Sequence, residues 1–130
     1  MDSYNRFESN HIHENGFAGV YFRAKPIGSA PLDNVFYQNT IEDNGNDEEG
    51  YGIFFNWREN NGEQSGNVFD GNIIRDNGQN RQRIGIWFPW DMSLIKIGEN
   101  EMEGHSGGDI VNEKRTRPNW PTGTWSGAKL

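Results

Sequence analysis

Apolar residues along this chain come in short pieces of three to five, broken by Asn or Gly, and no stretch keeps a 3.6-residue helical period. One pattern recurs three times. It runs Asn5, Phe7, Asn10, Ile12, Asn15, Gly16, then Asn34, Phe36, Asn39, Ile41, Asn44, Gly45, then Asn67, Phe69, Asn72, Ile74, Asn77, Gly78. A second block follows each copy: Gly19-Val20-Tyr21-Phe22, Gly52-Ile53-Phe54-Phe55 and Gly85-Ile86-Trp87-Phe88. A weaker fourth copy covers 95–104 and 108–112, and the middle asparagines Asn10, Asn39, Asn72 and Asn100 are 29, 33 and 28 residues apart. A period near thirty marks a solenoid whose units stack.

Three short apolar pieces per unit predict three strands per coil, turning at corners where Asn and Gly tolerate a left-handed backbone. Stacked coils bring matching residues about 4.8 Å apart, so the asparagines should form hydrogen-bonded ladders. The expectation is an all-β, right-handed parallel β-helix of about four coils with three short strands each. The coils fill 1–113, with repeats near 5–23, 34–57, 67–90 and 95–112, and 114–130 forms an irregular C-terminal tail or cap. Strand alternation points Phe7, Phe36 and Phe69 inward, with Ile12, Ile41 and Ile74, and with Val20, Ile53, Ile86, Phe22, Phe55 and Phe88. Tyr21, Phe54 and Trp87 then point outward.

The N-x-F-x-x-N-x-I-x-x-N-G…G-I-x-F unit resembles the repeat of pectate-lyase-like right-handed β-helix proteins over residues 5–112. That family includes polysaccharide lyases and alginate epimerases. The resemblance implies a polysaccharide substrate and an extracellular or periplasmic location. The Asp-Pro-His signature of alginate epimerases and the paired aspartates of polygalacturonases are absent from this sequence.

Composition narrows the function. A net charge of -7 disfavours a nucleic-acid partner. Without cysteine there is no disulfide, thiol nucleophile or thiolate metal site. No apolar run reaches the ~18 residues of a membrane span, and Met1-Asp2-Ser3-Tyr4 does not open a signal peptide. Only four residues precede the first repeat, so Phe7, Ile12, Val20 and Phe22 should form an apolar end. The expectation there is a homo-oligomer stacked through coil ends, or further coils upstream. At the other end, the tryptophans and prolines of 117–125 suit a lid. Acidic Asp47, Glu48 and Glu49 and basic Arg81 and Arg83 occupy neighbouring corners and should pair.

Several groups can carry chemistry. The outward column Tyr21, Phe54 and Trp87 suits sugar rings, unless a loop, 25–32 or 60–66, lies over it. Arg23, Trp57 and Trp90 stand at the ends of the same strands and extend that candidate glycan-binding surface. His13, Glu42 and Arg75 should align outward with His11 alongside. A His, a carboxylate and an Arg together suit general acid–base work on a uronate, although a plain solvated face has the same composition. His11, His13 and Glu42 also match a metal-ligand set. Glu14, Asp43 and Asp76 should form an acidic corner column suited to calcium, with no other cofactor expected. His105 falls in Gly104-His105-Ser106-Gly107-Gly108, which reads as a flexible turn. The leading expectation is a carbohydrate-binding module without its own active site. The alternatives are a lyase or epimerase acting on a uronate polymer, and an assembly module that stacks through coil ends.

Overall fold

The computed structural model describes residues 4–22, 33–55, 66–88 and 95–112. Each segment contributes three strands. The first coil holds β1 (Arg6–Glu8), β2 (His11–His13) and β3 (Ala18–Phe22). The second holds β4 (Val35–Tyr37), β5 (Thr40–Glu42) and β6 (Tyr51–Phe55). The third holds β7 (Asn67–Asp70), β8 (Ile73–Arg75) and β9 (Ile84–Phe88). The fourth holds β10 (Ile95–Ile97), β11 (Glu101–Glu103) and β12 (Gly108–Asn112). Strands pair only with their counterparts in adjacent coils, giving three four-stranded parallel sheets, β1-β4-β7-β10, β2-β5-β8-β11 and β3-β6-β9-β12. The chain is a right-handed parallel β-helix.

The expected register holds. Phe7 pairs with Phe36, Phe36 with Phe69, and Phe69 with Ile97. Their rings stack face to face, Phe7 on Phe36 at 4.7 Å and Phe36 on Phe69 at 5.0 Å. Phe22 stacks on Phe55 at 4.2 Å, and Phe55 meets Phe69 edge-on. Ile41, Ile53, Ile74 and Ile86 fill the space between these rings, and Ile12, Val20, Ile97 and Met102 pack on the cluster from its two ends. Phe22 was expected at an open end, but it is buried against Phe55, Phe36 and Phe69.

Amide ladders seal the corners. Asn10 donates its backbone N–H and its Nδ2 to Asn39 Oδ1 at 2.8 and 3.0 Å. Asn39 does the same to Asn72, and Asn72 to Asn100. Asn39 also donates Nδ2 to Phe7 O at 2.9 Å, so the buried amide has its acceptor and both side-chain donors occupied. A second ladder runs Asn5, Asn34, Asn67. The third departs from expectation. It runs Asn15, Asn44, Gln82, and ends on His105. Asn77, the Asn of the third Asn-Gly corner, lies outside it. The Asp76 carboxylate explains the shift. It accepts the backbone N–H groups of Gly78, Asn80, Arg81 and Gln82, closing a loop that delivers Gln82 to the ladder position.

A second correction concerns the corners. In the first three coils the left-handed backbone falls on the residue before each ladder asparagine rather than on the asparagine. Tyr4, Ser9, Glu14, Asp33, Gln38 and Asp43 have φ between 53° and 60°, and Gly66 and Gly71 take that place in the third coil. The preceding residue makes the turn, which leaves the asparagine side chain free to lie along the column. The Gly beside the third ladder is a matter of space. A Cβ on Gly52 would lie 2.7 Å from Gly85 O and 2.9 Å from Ile74 Cγ2.

Candidate functional site

The aromatic column exists, but it is not the open ridge expected. Tyr21 pairs with Phe54 and Phe54 with Trp87. The rings stack at 5.6 and 4.8 Å. Phe54 and Trp87 are each 1% exposed, whereas Tyr21 is 46% exposed. Phe54 and Trp87 form a second apolar cluster with Tyr51 and Ile84, flanked by Phe17, Ala18 and Val111. Phe17 meets Phe54 edge-on at 5.0 Å and Tyr51 packs at 4.7 Å. Sheet β3-β6-β9-β12 is therefore packed on both faces in its inner strands, and only Tyr21 of the three keeps an accessible ring. Arg23, Trp57 and Trp90 lie outside the described residues, as do the loops 25–32 and 60–65 and the suggested lid 117–125.

On sheet β2-β5-β8-β11, His13, Glu42, Arg75 and Glu103 occupy one column, with His11 on the neighbouring one. Glu42 is the hub. Oε1 accepts from Arg75 Nε at 2.7 Å and from Asn77 Nδ2 at 2.9 Å, and Oε2 accepts from His11 Nε2 at 2.6 Å. The rings of His11 and His13 stack at 4.0 Å. The amide of Asn77, then the Arg75 guanidinium, hold the Glu42 carboxyl down at about 2. At neutral pH it is a fixed anion and not a proton carrier. Arg75 is likewise committed to Glu42.

The acidic corner column does not present three free carboxylates. Asp43 accepts the N–H and the Nδ2 of Asn77, both at 2.8 Å. Asp76 is enclosed by its four backbone donors. Burial pushes its carboxyl up, the four N–H bonds pull it down, and the bonds prevail. Glu14 sits 3.5 Å from His13 Nδ1. Among the described residues no three His, Asp or Glu side chains come together as a metal-binding group. Within this corner, Asn77 does for Asp43 and Glu42 what a cation would do for a bare acidic column.

His105 is no loose turn. Its side chain is fully buried. Nδ1 donates to Asp109 Oδ1 at 2.9 Å, which leaves Nε2 to accept from Gln82 Nε2 at 3.2 Å. Its ring closes the third ladder.

One recess was not foreseen. Where coils two, three and four turn into β6, β9 and β12, a notch of about 220 Å³ opens between Glu48, Glu49, Tyr51, Arg83, Ile84 and Ser106. Tyr51 and Ile84 supply apolar wall. Asn46 Oδ1 accepts the N–H groups of Glu48 and Glu49 at 2.7 and 3.0 Å and shapes the acidic turn. Burial and the Glu49 charge raise the Tyr51 phenol, whose hydroxyl donates to Glu49 Oε1. The expected pairing of acidic and basic corners takes another form. Arg83 Nη2 donates to Asp47 O at 2.9 Å and Arg81 Nη2 to Gly45 O at 2.6 Å, so the guanidinia bond carbonyls instead of carboxylates. Arg83 Nη1 is shut off from water with no hydrogen-bond partner. The sequence signal for this notch was the insertion of acidic and basic residues at matching corners.

The fold and its surfaces define a short parallel β-helix with a polar face and a mixed-polarity corner notch. Comparison of the chain with protein-family models, with curated proteins and with solved structures gives no match.

Proposed function

We propose that this β-helix is a non-catalytic module that binds carbohydrate at the corner notch rather than along the aromatic column. The observation that carries the reading is Arg83. It lines the notch with Nη2 bonded to Asp47 O and with Nη1 buried and, among the described residues, without a partner. An unpaired buried donor costs about 1–3 kcal/mol, which favours a turn of the guanidinium toward an arriving acceptor. A sugar hydroxyl accepts from Arg83 and donates to Glu48 or Glu49, while Tyr51 and Ile84 offer apolar surface to the ring. The two carboxylates and the net charge of -7 favour neutral or amino sugars over polyuronates. The notch is smaller than the roughly 300–1,000 Å³ of drug-sized sites, so it suits one ring. A dozen heavy atoms at about 0.3 kcal/mol each give an affinity near millimolar. The uronate lyase reading finds less support, because Arg75, the cation it would use, is bonded to Glu42.

Calorimetric or NMR titration with neutral, amino and uronic oligosaccharides tests the proposal. Expected are a millimolar response to a neutral or amino sugar, its loss in Arg83→Ala, and no change in Tyr21→Ala. Silence to every glycan, or a response indifferent to Arg83→Ala, overturns it.

A further inference from the structure

Among the described residues, β1, β2 and β3 form one edge of the three sheets, and β10, β11 and β12 form the other. The two edges are complementary. The Asn10 ladder has a direction: each asparagine donates to the one in the following coil. At the first-coil edge Asn10 Oδ1 has no donor among the described residues, and at the fourth-coil edge Asn100 turns its Nδ2 to Phe69 O and Gly98 O, the second of which it must release to donate onward as Asn39 and Asn72 do. Continuing the observed register by one coil seats Asn100 of one copy on Asn10 of the next. The same step puts Ile97 on Phe7, Met102 on Ile12 and Ile110 on Val20. Phe7 and Ile110 are exposed large apolar residues, and Ile12, Val20, Ile97 and Met102 are only partly buried.

Charge fits the same register. Glu101 falls on the His11 column and Glu103 on the His13 column. His11 would then lie between Glu42 and Glu101. His13, flanked by Glu14 and the His11 ring, would face Glu103, which already lies beside Arg75. Other positions oppose the fit: Lys96 falls over Arg6, which Glu8 partly neutralises at 2.8 Å, Asn112 falls on the Phe22 column, and Ile95 stands where the Asn5 ladder would continue.

We propose that copies of this chain associate head to tail, the fourth-coil edge of one on the first-coil edge of the next, continuing the β-helix across the junction. The contact joins two different surfaces, so it does not close at a dimer and grows as a filament.

The test is sedimentation and light scattering of the full chain over a concentration series. Mass rising past 14.9 kDa in successive steps supports the proposal. His13→Glu and Glu103→Lys, both at exposed positions, should each weaken self-association about five- to tenfold. Mixed together they should regain it, since Glu103→Lys then meets His13→Glu at one junction and the native pair forms at the next. A monomer throughout the series overturns the proposal. So does a closed dimer of two like edges, or a mixture no stronger than either variant alone.

Discussion

Strands β3 and β6 occupy the same place in successive coils and share the Gly-Val/Ile-aromatic-Phe pattern, yet they live in different environments. All five residues of β6 are buried, and so are all five of β9. In β3 only Phe22 is fully buried, and in β12 none is. Equivalent phenylalanines divide the same way: Phe69 is 0% exposed and Phe7 39%. Side chains along each column point alike, so the difference arises from having a coil on both sides or on one. A solenoid residue owes its burial to its nearest neighbours, and the inner coils should therefore carry most of the stability.

The largest effect should come from the phenylalanine column. Phe69→Ala removes a ring packed against Phe36, Phe22 and Phe55. It should cost about 3–5 kcal/mol in chemical unfolding. Phe7→Ala, which loses one stacked neighbour and a ring already part-exposed, should cost about 1 kcal/mol. Equal losses at both sites would refute the nearest-neighbour account.

The amide columns give the next contrast. Asn39→Ala strips partners from the Asn10 donors, from Phe7 O and from Asn72 Oδ1 in a buried column. The expected loss is about 2–3 kcal/mol. Asn5→Ala, in the first coil, removes only the Nδ2 donor to Asn34 Oδ1 and keeps the backbone one, and should cost about 1 kcal/mol or less. Thermal melts of the two variants decide it.

The ion pairs follow. The Glu42 carboxyl lies at about 2 in the folded chain against 4.5 when free. The unfolded chain binds the proton first, so this stabilisation is full above about pH 5 and disappears as pH falls toward 2. Allowing for solvent screening it amounts to about 1–2 kcal/mol. The stability gap between the native chain and Glu42→Gln should be widest near neutrality and vanish at pH 2. A gap independent of pH would mean that packing, not charge, sets it. Arg6–Glu8 in the end coil, with both side chains about half exposed, should contribute under about 0.5 kcal/mol.

Identical letters at a regular period made the coils, the inward faces and two ladder positions readable, because stacking turns repetition into contact. The third ladder was misread at Asn77, since the Asp76 loop displaces the chain and the ladder needs only a side-chain amide, which Gln82 supplies. The outward column was assigned its direction correctly, while its exposure stayed open until Phe54 and Trp87 were found buried. Alternation says where a side chain points, not what lies over it. The warning was in Tyr51-Gly52-Ile53-Phe54-Phe55 itself, which has no polar position and so reads as buried on both faces. The Arg83 notch left a trace only in its charges, because the carbonyl that holds Nη2 carries no sequence letter.

The smallest effects should ignore the contrast between inner and outer coils, and that sharpens it. Ser9, Gln38 and Gly71 make the same left-handed turn, with φ of 59°, 56° and 68°. A Cβ on Gly71 would find nothing nearer than 3.5 Å, so Gly71→Ala tests backbone strain without a clash. That strain is about 1–2 kcal/mol, less about 0.4–1 kcal/mol recovered from the unfolded chain, a net loss of about 1 kcal/mol. Ser9→Gly and Gln38→Gly run the exchange in reverse, at exposed positions in an end coil and an inner coil. Strain in φ is local, so the two should gain stability alike, within about 0.3 kcal/mol. If Gln38→Gly gained far more than Ser9→Gly in parallel melts, coil position would govern the backbone as well as the core, and burial alone would no longer explain why the inner coils are the stable ones.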